Sequence, residues 1–235
     1  MRDGPELRPV GDVPDAFTSV VIDAFEHRPG DRFVIFLSGG PTARACYERL
    51  AGVEGDAVDW SKVDIYMGDE RFVTADDPDA NQRLVREALL ERVGPVGSFT
   101  PIPTDGDPAD CAARYALVVS AVLEGPGVDV VHLGMGPDGH TASLFPGSPG
   151  VDPGTRDLVV ATEDPSGTNP HRRLSVTLPV INRSRMAVFT VVGTSKRGAI
   201  SLLRSGADIP AARVRAKDVR WLVDAAALGP AEVVS

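Results

Sequence analysis

Cysteine is scarce in this sequence: Cys46 and Cys111 are the only two among 235 residues. Two cysteines supply neither a disulfide framework nor a Cys-based zinc site. Both fall inside helical patterns and read as small core residues. The expectation is a cytoplasmic chain with reduced thiols. Long apolar runs are also missing. The longest are about six residues, against roughly 20 needed to cross a bilayer. Met1-Arg2-Asp3-Gly4-Pro5-Glu6 lacks the apolar core of a signal peptide. No long basic run is present: 24 Lys+Arg stand against 33 Asp+Glu, a formal charge of −9. That leaves no electrostatic footprint for nucleic acid or an anionic membrane. Aromatics make up only 6% of the chain, so its core must be built from Val, Leu, Ile and Ala. There is no H-E-x-x-H, no C-x-x-C, no G-x-S-x-G elbow and no Walker A pattern, so zinc chemistry and a serine nucleophile of the usual kind are not expected.

What is present is punctuation. Gly (24) and Pro (20) are abundant and fall between periodic segments, which marks turns rather than disorder. Phe17, Val20, Val21, Ala24 and Phe25 share one face of a helix predicted over 15–28. The apolar run at 32–37 reads as a buried parallel strand, and further strong strands are expected at 63–67, 128–133 and 186–192. Shorter strands are expected at 158–162, 174–178 and 219–223. Helices are expected at 43–50, 81–93, 108–123 and 195–203, with Asp224 capping a last short one. Gly147 to Asn169 reads as a long surface loop. Alternating strands and helices predict an α/β fold with parallel pairing. No linker divides the chain, so residues 1–235 are read as one domain.

Three polar, Gly-rich segments follow three of the strong strands. In a parallel sheet they would converge on one edge, where such folds bind ligands. Ser38-Gly39-Gly40-Pro41-Thr42 opens a helix. It is either a phosphate cradle, with backbone N–H groups at a helix N-terminus, or a plain turn with Thr42 near the N-cap. In Gly68-Asp69-Glu70-Arg71, Arg71 suits a phosphate or carboxylate and Asp69 could orient a base; the bland alternative is a surface ion-pair cluster. Gly134-Met135-Gly136-Pro137-Asp138-Gly139 matches G-x-G-x-x-G literally, but Pro137 and the nearby Pro146 and Pro149 leave little room for a nucleotide-binding helix. His140, beside Asp138, is a candidate general base or a loop histidine bonded to backbone. Arg172-Arg173 precede a strand. Lys196 and Arg197 oppose a helix dipole, for which an anionic ligand or simple solvent exposure would account.

These segments resemble those of the 6-phosphogluconolactonase family of the oxidative pentose phosphate pathway. The matching pieces are Leu37–Gly40, Gly68–Val73, Asn81, Leu133–Gly147, Arg173–Asn182 and Trp221–Asp224. Glucosamine-6-phosphate deaminases share the turn and the Asp-Gly-His. They typically carry Asp-Glu-Tyr at 69–71 and a different run after the His. The resemblance implies a three-layer α/β/α, Rossmann-like domain with a mainly parallel sheet, no cofactor and no metal. It implies hydrolysis of 6-phospho-D-glucono-1,5-lactone by a chain that is a monomer or weak homo-oligomer. On that reading His140 activates water, and Asp69 or Asp138 orients the site. Arg71 or Arg173 (preferred over Arg172) faces the oxyanion. Ser38, Gly39, Gly40, Thr42, Arg71, Asp138 and Lys196 hold the phosphorylated substrate. Competing readings are a sugar-phosphate isomerase or deaminase, a non-catalytic sugar-phosphate sensor, and a nicotinamide enzyme.

Overall fold

A computed structural model describes residues 5, 7, 9–55 and 57–229. Residues 1–4 and 6, which belong to the segment read for a signal peptide, lie outside them. Helix α1 (Val13–Glu26) starts earlier than its apolar spacing predicts. Asp12 caps it, accepting from the Asp15 N–H at 2.8 Å, and Pro14 occupies its first turn. Strand β1 (Phe33–Leu37) follows, buried at every position. Then come α2 (Pro41–Ala51), β2 (Val63–Met67) and β3 (Asp69–Arg71). The helix expected at 81–93 is in three pieces: α3 (Asn81–Val85), a π-helical turn at Arg86–Leu90, and α4 (Glu91–Val93). The middle of the chain holds β4 (Ser98–Thr100), α5 (Pro108–Glu124), β5 (Val130–Leu133), β6 (Val159–Thr162) and β7 (Arg173–Val176). The last third holds α6 (Leu178–Ile181), β8 (Met186–Val191), α7 (Arg197–Arg204), β9 (Asp218–Val223) and α8 (Ala225–Leu228).

Six strands form one sheet in the order β4-β2-β1-β5-β8-β9, with every pairing parallel. This is the doubly wound order in which the chain reverses direction of travel after its first strands, with the switch between β1 and β5. Helices flank the sheet: α1 and α2 pack on each other, and α1 reaches β8 and β9. The result is the expected α/β/α arrangement.

The local patterning does not anticipate a second sheet. β3, β7 and β6 pair antiparallel, placing Asp69 opposite Ser175 and Arg71 opposite Arg173. Asp69-Glu70-Arg71 is therefore a short strand, not just a turn that stops β2. Gly147–Asn169 is not one loop, because β6 divides it and buries Val159, Val160 and Thr162. Cys46 and Cys111 are free and buried, as their helical spacing suggests.

One buried carboxylate organises the approach to α3. Glu70 is fully buried and accepts the backbone N–H groups of Arg71 (2.8 Å), Asn81 (2.7 Å) and Gln82 (2.7 Å). It supplies the cap that Ala80, at the N-cap position, cannot. Burial pushes its pKa up to about 7, against the three N–H bonds that hold it down. The folded chain therefore keeps a proton that the unfolded chain releases near 4.5. This contribution to stability is complete below pH 4.5 and is lost as pH rises through 7. Urea unfolding should show the wild type losing up to about 3 kcal/mol relative to Glu70→Gln between about pH 5 and 7.5. A constant difference between the two across that window would contradict this.

Candidate active site

The carboxyl ends of β1 and β5 diverge around a cleft of about 390 Å³. Ser38, Gly39, Gly40 and Thr42 enter it from the β1–α2 turn, and Asp69 and Arg71 from β3. His140 comes from the segment after β5, Arg173 from β7, and Lys196 from the segment after β8. Arg172 and Arg197 do not line it; Arg197 donates from Nε to the Ala226 carbonyl at 2.9 Å. Neither does Asp138. Its carboxylate is turned onto His140 instead.

Gly40 is the N-cap of α2, with φ of 102° and no side chain to cap the helix, and Pro41 begins the first turn. Thr42 therefore sits inside the helix rather than at its cap. The first N–H groups of α2 have no side-chain partner, which leaves the positive end of the helix open at the cleft. Gly39 is required by a close approach: a Cβ there would lie 1.8 Å from Asn81 Oδ1. Asn81, at the head of α3, donates from Nδ2 to the Asp69 carbonyl at 3.0 Å, and its buried Oδ1 has no partner. Glu70 thus places α3, α3 places Asn81, and Asn81 seats the turn against β3.

His140 is held on one side. Its Nδ1 lies 2.6 Å from Asp138 Oδ1, which also accepts the His140 backbone N–H at 3.1 Å. The ring packs on Phe145 at 4.7 Å between centroids. With Nδ1 engaged by a carboxylate, Nε2 is the nitrogen left to exchange a proton. Partial burial raises the pKa of Asp138, but the hydrogen bond and charge of His140 outweigh it, and the carboxyl ends below its usual range. Gly136 makes this geometry possible. Its N–H donates to the His140 carbonyl at 2.8 Å, and a Cβ at Gly136 would lie 2.2 Å from the imidazole. The glycines that resemble a dinucleotide fingerprint instead fold a tight turn under a histidine.

The arginines form the other wall. Arg71 and Arg173 are directly opposite each other across two antiparallel strands. Like charges at such a position oppose each other, so the pair is suited to an anion between or beside them. Arg71 Nη1 donates to the Asp79 carbonyl at 2.5 Å, and Arg173 Nη2 to Asn169 Oδ1 at 3.2 Å. The Nε of each is buried without a partner. Burial pulls the Arg173 pKa down, and the charge of Asp69 pushes back. Arg172 is exposed and faces Glu163 at 3.8 Å, so of the two neighbours it is Arg173 that lines the cleft beside Arg71. Asp69 is buried and accepts from Ser143 Oγ (2.6 Å) and Ser38 Oγ (3.3 Å). Lys196 is half-buried; dehydration lowers its pKa and Asp138 raises it. Sequence reasoning gives no site role to Asn81, Ser143, Asn169, His132 or Thr190. Ser143 and Asn81 lie inside the motifs that carry the resemblance, and their polar character at buried positions is the signal that could have found them. Among the described residues no group of three or more His, Cys, Asp or Glu side chains is placed to hold a metal ion.

The fold and cleft define a doubly wound α/β protein with an anion-suited helix terminus and a carboxylate–imidazole pair at its switch point. A family model described as glucosamine-6-phosphate isomerases/6-phosphogluconolactonase matches residues 11–223. A 6-phosphogluconolactonase of Mycobacterium tuberculosis is 40% identical over 205 residues, covering 81% of this chain and 82% of that one. One from Nostoc sp. is 38% identical over 208 residues, 83% of each chain. The crystal structure of 6-phosphogluconolactonase from Thermotoga maritima superposes with a TM-score of 0.81 at 27% identity, covering 93% of this chain and 98% of that one. The chain belongs to the glucosamine-6-phosphate isomerase/6-phosphogluconolactonase family.

Inorganic phosphate titrated into ¹⁵N-labelled protein should shift the backbone amides of Gly39, Gly40 and Thr42 first, as expected for an anion at a helix N-terminus. Shifts confined to other surfaces would contradict the cradle.

Proposed function

We propose that the chain hydrolyses 6-phospho-D-glucono-1,5-lactone to 6-phospho-D-gluconate, the lactone-opening step of the oxidative pentose phosphate pathway. One domain carries the reaction, in the cytoplasm, as a monomer or weak homo-oligomer. The observation that carries this reading is the placement of the Asp138–His140 pair and the Arg71–Arg173 pair around one cleft with the Ser38–Thr42 turn. The names of the 35–40% identical relatives favour the lactonase over the deaminase half of the family.

A δ-lactone is an activated ester, so water and one base are enough. His140 Nε2 takes a proton from water as the water oxygen bonds to C1. Asp138, on Nδ1, fixes the tautomer and stabilises the imidazolium. Arg173, with Arg71, faces the oxyanion that forms at C1. Collapse breaks the bond between C1 and the ring oxygen, which takes its proton from imidazolium, and His140 returns to its starting state. No covalent intermediate or metal is invoked. The 6-phosphate lies on the turn and the α2 N-terminus, with Arg71 and Lys196 beside it. Asp69 is held by Ser38 and Ser143 and balances Arg173.

Acid release from fresh lactone at slightly acidic pH, where spontaneous opening is slow, tests the base. His140→Ala should lower turnover by about 10²–10⁴-fold while circular dichroism stays unchanged, and EDTA should have no effect. Near-normal turnover in folded His140→Ala, a metal requirement, or ammonia release from glucosamine 6-phosphate would each overturn the reading.

Arg71→Ala and Lys196→Ala should each raise KM for the phosphorylated lactone by about tenfold, the size of one charge-assisted contact. Unfolding midpoints should barely move. A KM unchanged in both variants would remove these cations from phosphate binding.

A further inference from the structure

Beneath the phosphate turn lies a buried polar chain that the proposed reaction does not use. Ser38 is the residue at which β1 leaves its ladder; the last pairing there is the Gly68 N–H to the Leu37 carbonyl at 2.7 Å. From Ser38 onward the backbone is held by a side chain. Tyr47 Oη accepts the Ser38 N–H at 2.9 Å and donates to the Ser38 carbonyl at 2.9 Å. It also lies 2.7 Å from His132 Nδ1, and His132 Nε2 lies 2.8 Å from Thr190 Oγ1.

Satisfying every polar atom assigns the direction of this chain. With the phenol proton on the Ser38 carbonyl, Tyr47 accepts from the Ser38 N–H, and the His132 tautomer that completes the set carries its proton on Nδ1 and donates to Tyr47. Nε2 is then bare and accepts the Thr190 hydroxyl proton. Each polar atom named has its partner. Phe17 packs on the imidazole at 4.3 Å between centroids. Burial drives the His132 pKa down to about 3, so the ring stays neutral and serves as a fixed donor–acceptor.

The chain joins four elements at the points that matter for the cleft. Tyr47 is on α2, Ser38 at the end of β1, His132 on β5 and Thr190 on β8. Between Ser38 and Tyr47 lie the turn and the first turns of α2, so one hydroxyl sets the angle at which the helix N-terminus meets the strand end. β5 and β8 lead directly to His140 and Lys196.

We infer that Tyr47, anchored by His132 and Thr190, is a positioning residue that sets the phosphate cradle in register with the rest of the cleft. The inference rests on the lactonase reading for its kinetic arm and on phosphate binding alone for its second arm. Tyr47→Phe removes one oxygen and keeps the ring. It should raise KM for 6-phosphogluconolactone by about tenfold and weaken the Kd for inorganic phosphate by a similar factor. Turnover of the phosphorylated lactone at saturation, and kcat/KM for unphosphorylated glucono-1,5-lactone, should stay within about twofold of wild type. Thr190→Val should shift KM and Kd in the same direction, and Thr190→Ser should restore them. Equal losses on both lactones, or a lowered unfolding midpoint with KM and phosphate Kd unchanged, would reduce the chain to a structural role and overturn the inference. If Tyr47→Phe does not fold, the Thr190→Val and Thr190→Ser pair decides. If the wild type opens neither lactone, the lactonase reading falls and the phosphate titration still tests this one.

Discussion

The site depends on the divergence of two neighbouring parallel strands. β1 and β5 lie side by side at the centre of the sheet, yet the chain leaving β1 builds outward through β2 and β4, and the chain leaving β5 builds outward through β8 and β9. Their connections separate, and a crevice opens beyond their carboxyl ends. The groups proposed to bind and react are delivered to that crevice: the Ser38–Thr42 turn by β1, the imidazole and its carboxylate by the segment after β5, a lysine by the segment after β8. The small antiparallel sheet closes the remaining side, where β3 and β7 set two arginines in register.

Electrostatics follows the same division. The chain as a whole carries −9, a sign that works against capture of the proposed phosphorylated substrate. Locally the sign is reversed by Arg71, Arg173, Lys196 and the open end of α2. Asp69 is the counterweight: it is buried, held by two serine hydroxyls, and raises the pKa of Arg173 against the dehydration that lowers it. Net charge serves solubility, and the cleft carries its own field.

How much of this the sequence displays depends on which elements generate local patterns. β1, β2, β5 and β8 are short, mostly apolar strands with a glycine within two residues of each carboxyl end (Gly39, Gly68, Gly134, Gly193), and these ends coincide with polar segments, so the sheet and the convergence of Ser38, Asp69 and His140 can be read directly. β4 and α6 span three and four residues, too few to establish a period. Two strands of the second sheet, β6 and β7, are legible as the short runs at 158–162 and 174–178, but β3 is not: Asp69-Glu70-Arg71 is wholly polar and reads as a turn, yet Asp69 and Glu70 are buried and the three residues pair with β7. The register that opposes Arg71 to Arg173 joins segments about a hundred residues apart and leaves no local trace. The Tyr47–His132–Thr190 chain is hidden in the same way, since each member alone looks like an ordinary core residue of a helix or strand. Gly136 is the instructive case: its motif suggests a nucleotide, and its geometry shows that it makes room for a histidine.

That close approach offers a sharp test of whether an imidazole held by Asp138 opens the lactone. Gly136→Ala removes no charged group and sets a methyl against the imidazole–carboxylate pair, where a Cβ would lie 2.2 Å from the His140 ring and 2.7 Å from Asp138 Oδ1. Acid release from 6-phosphogluconolactone should show kcat lowered by about 10²-fold or more, the scale of a lost general base, with KM and the phosphate affinity little changed. A Gly136→Ala protein that turns over at nearly the wild-type rate would contradict a mechanism built on a positioned His140.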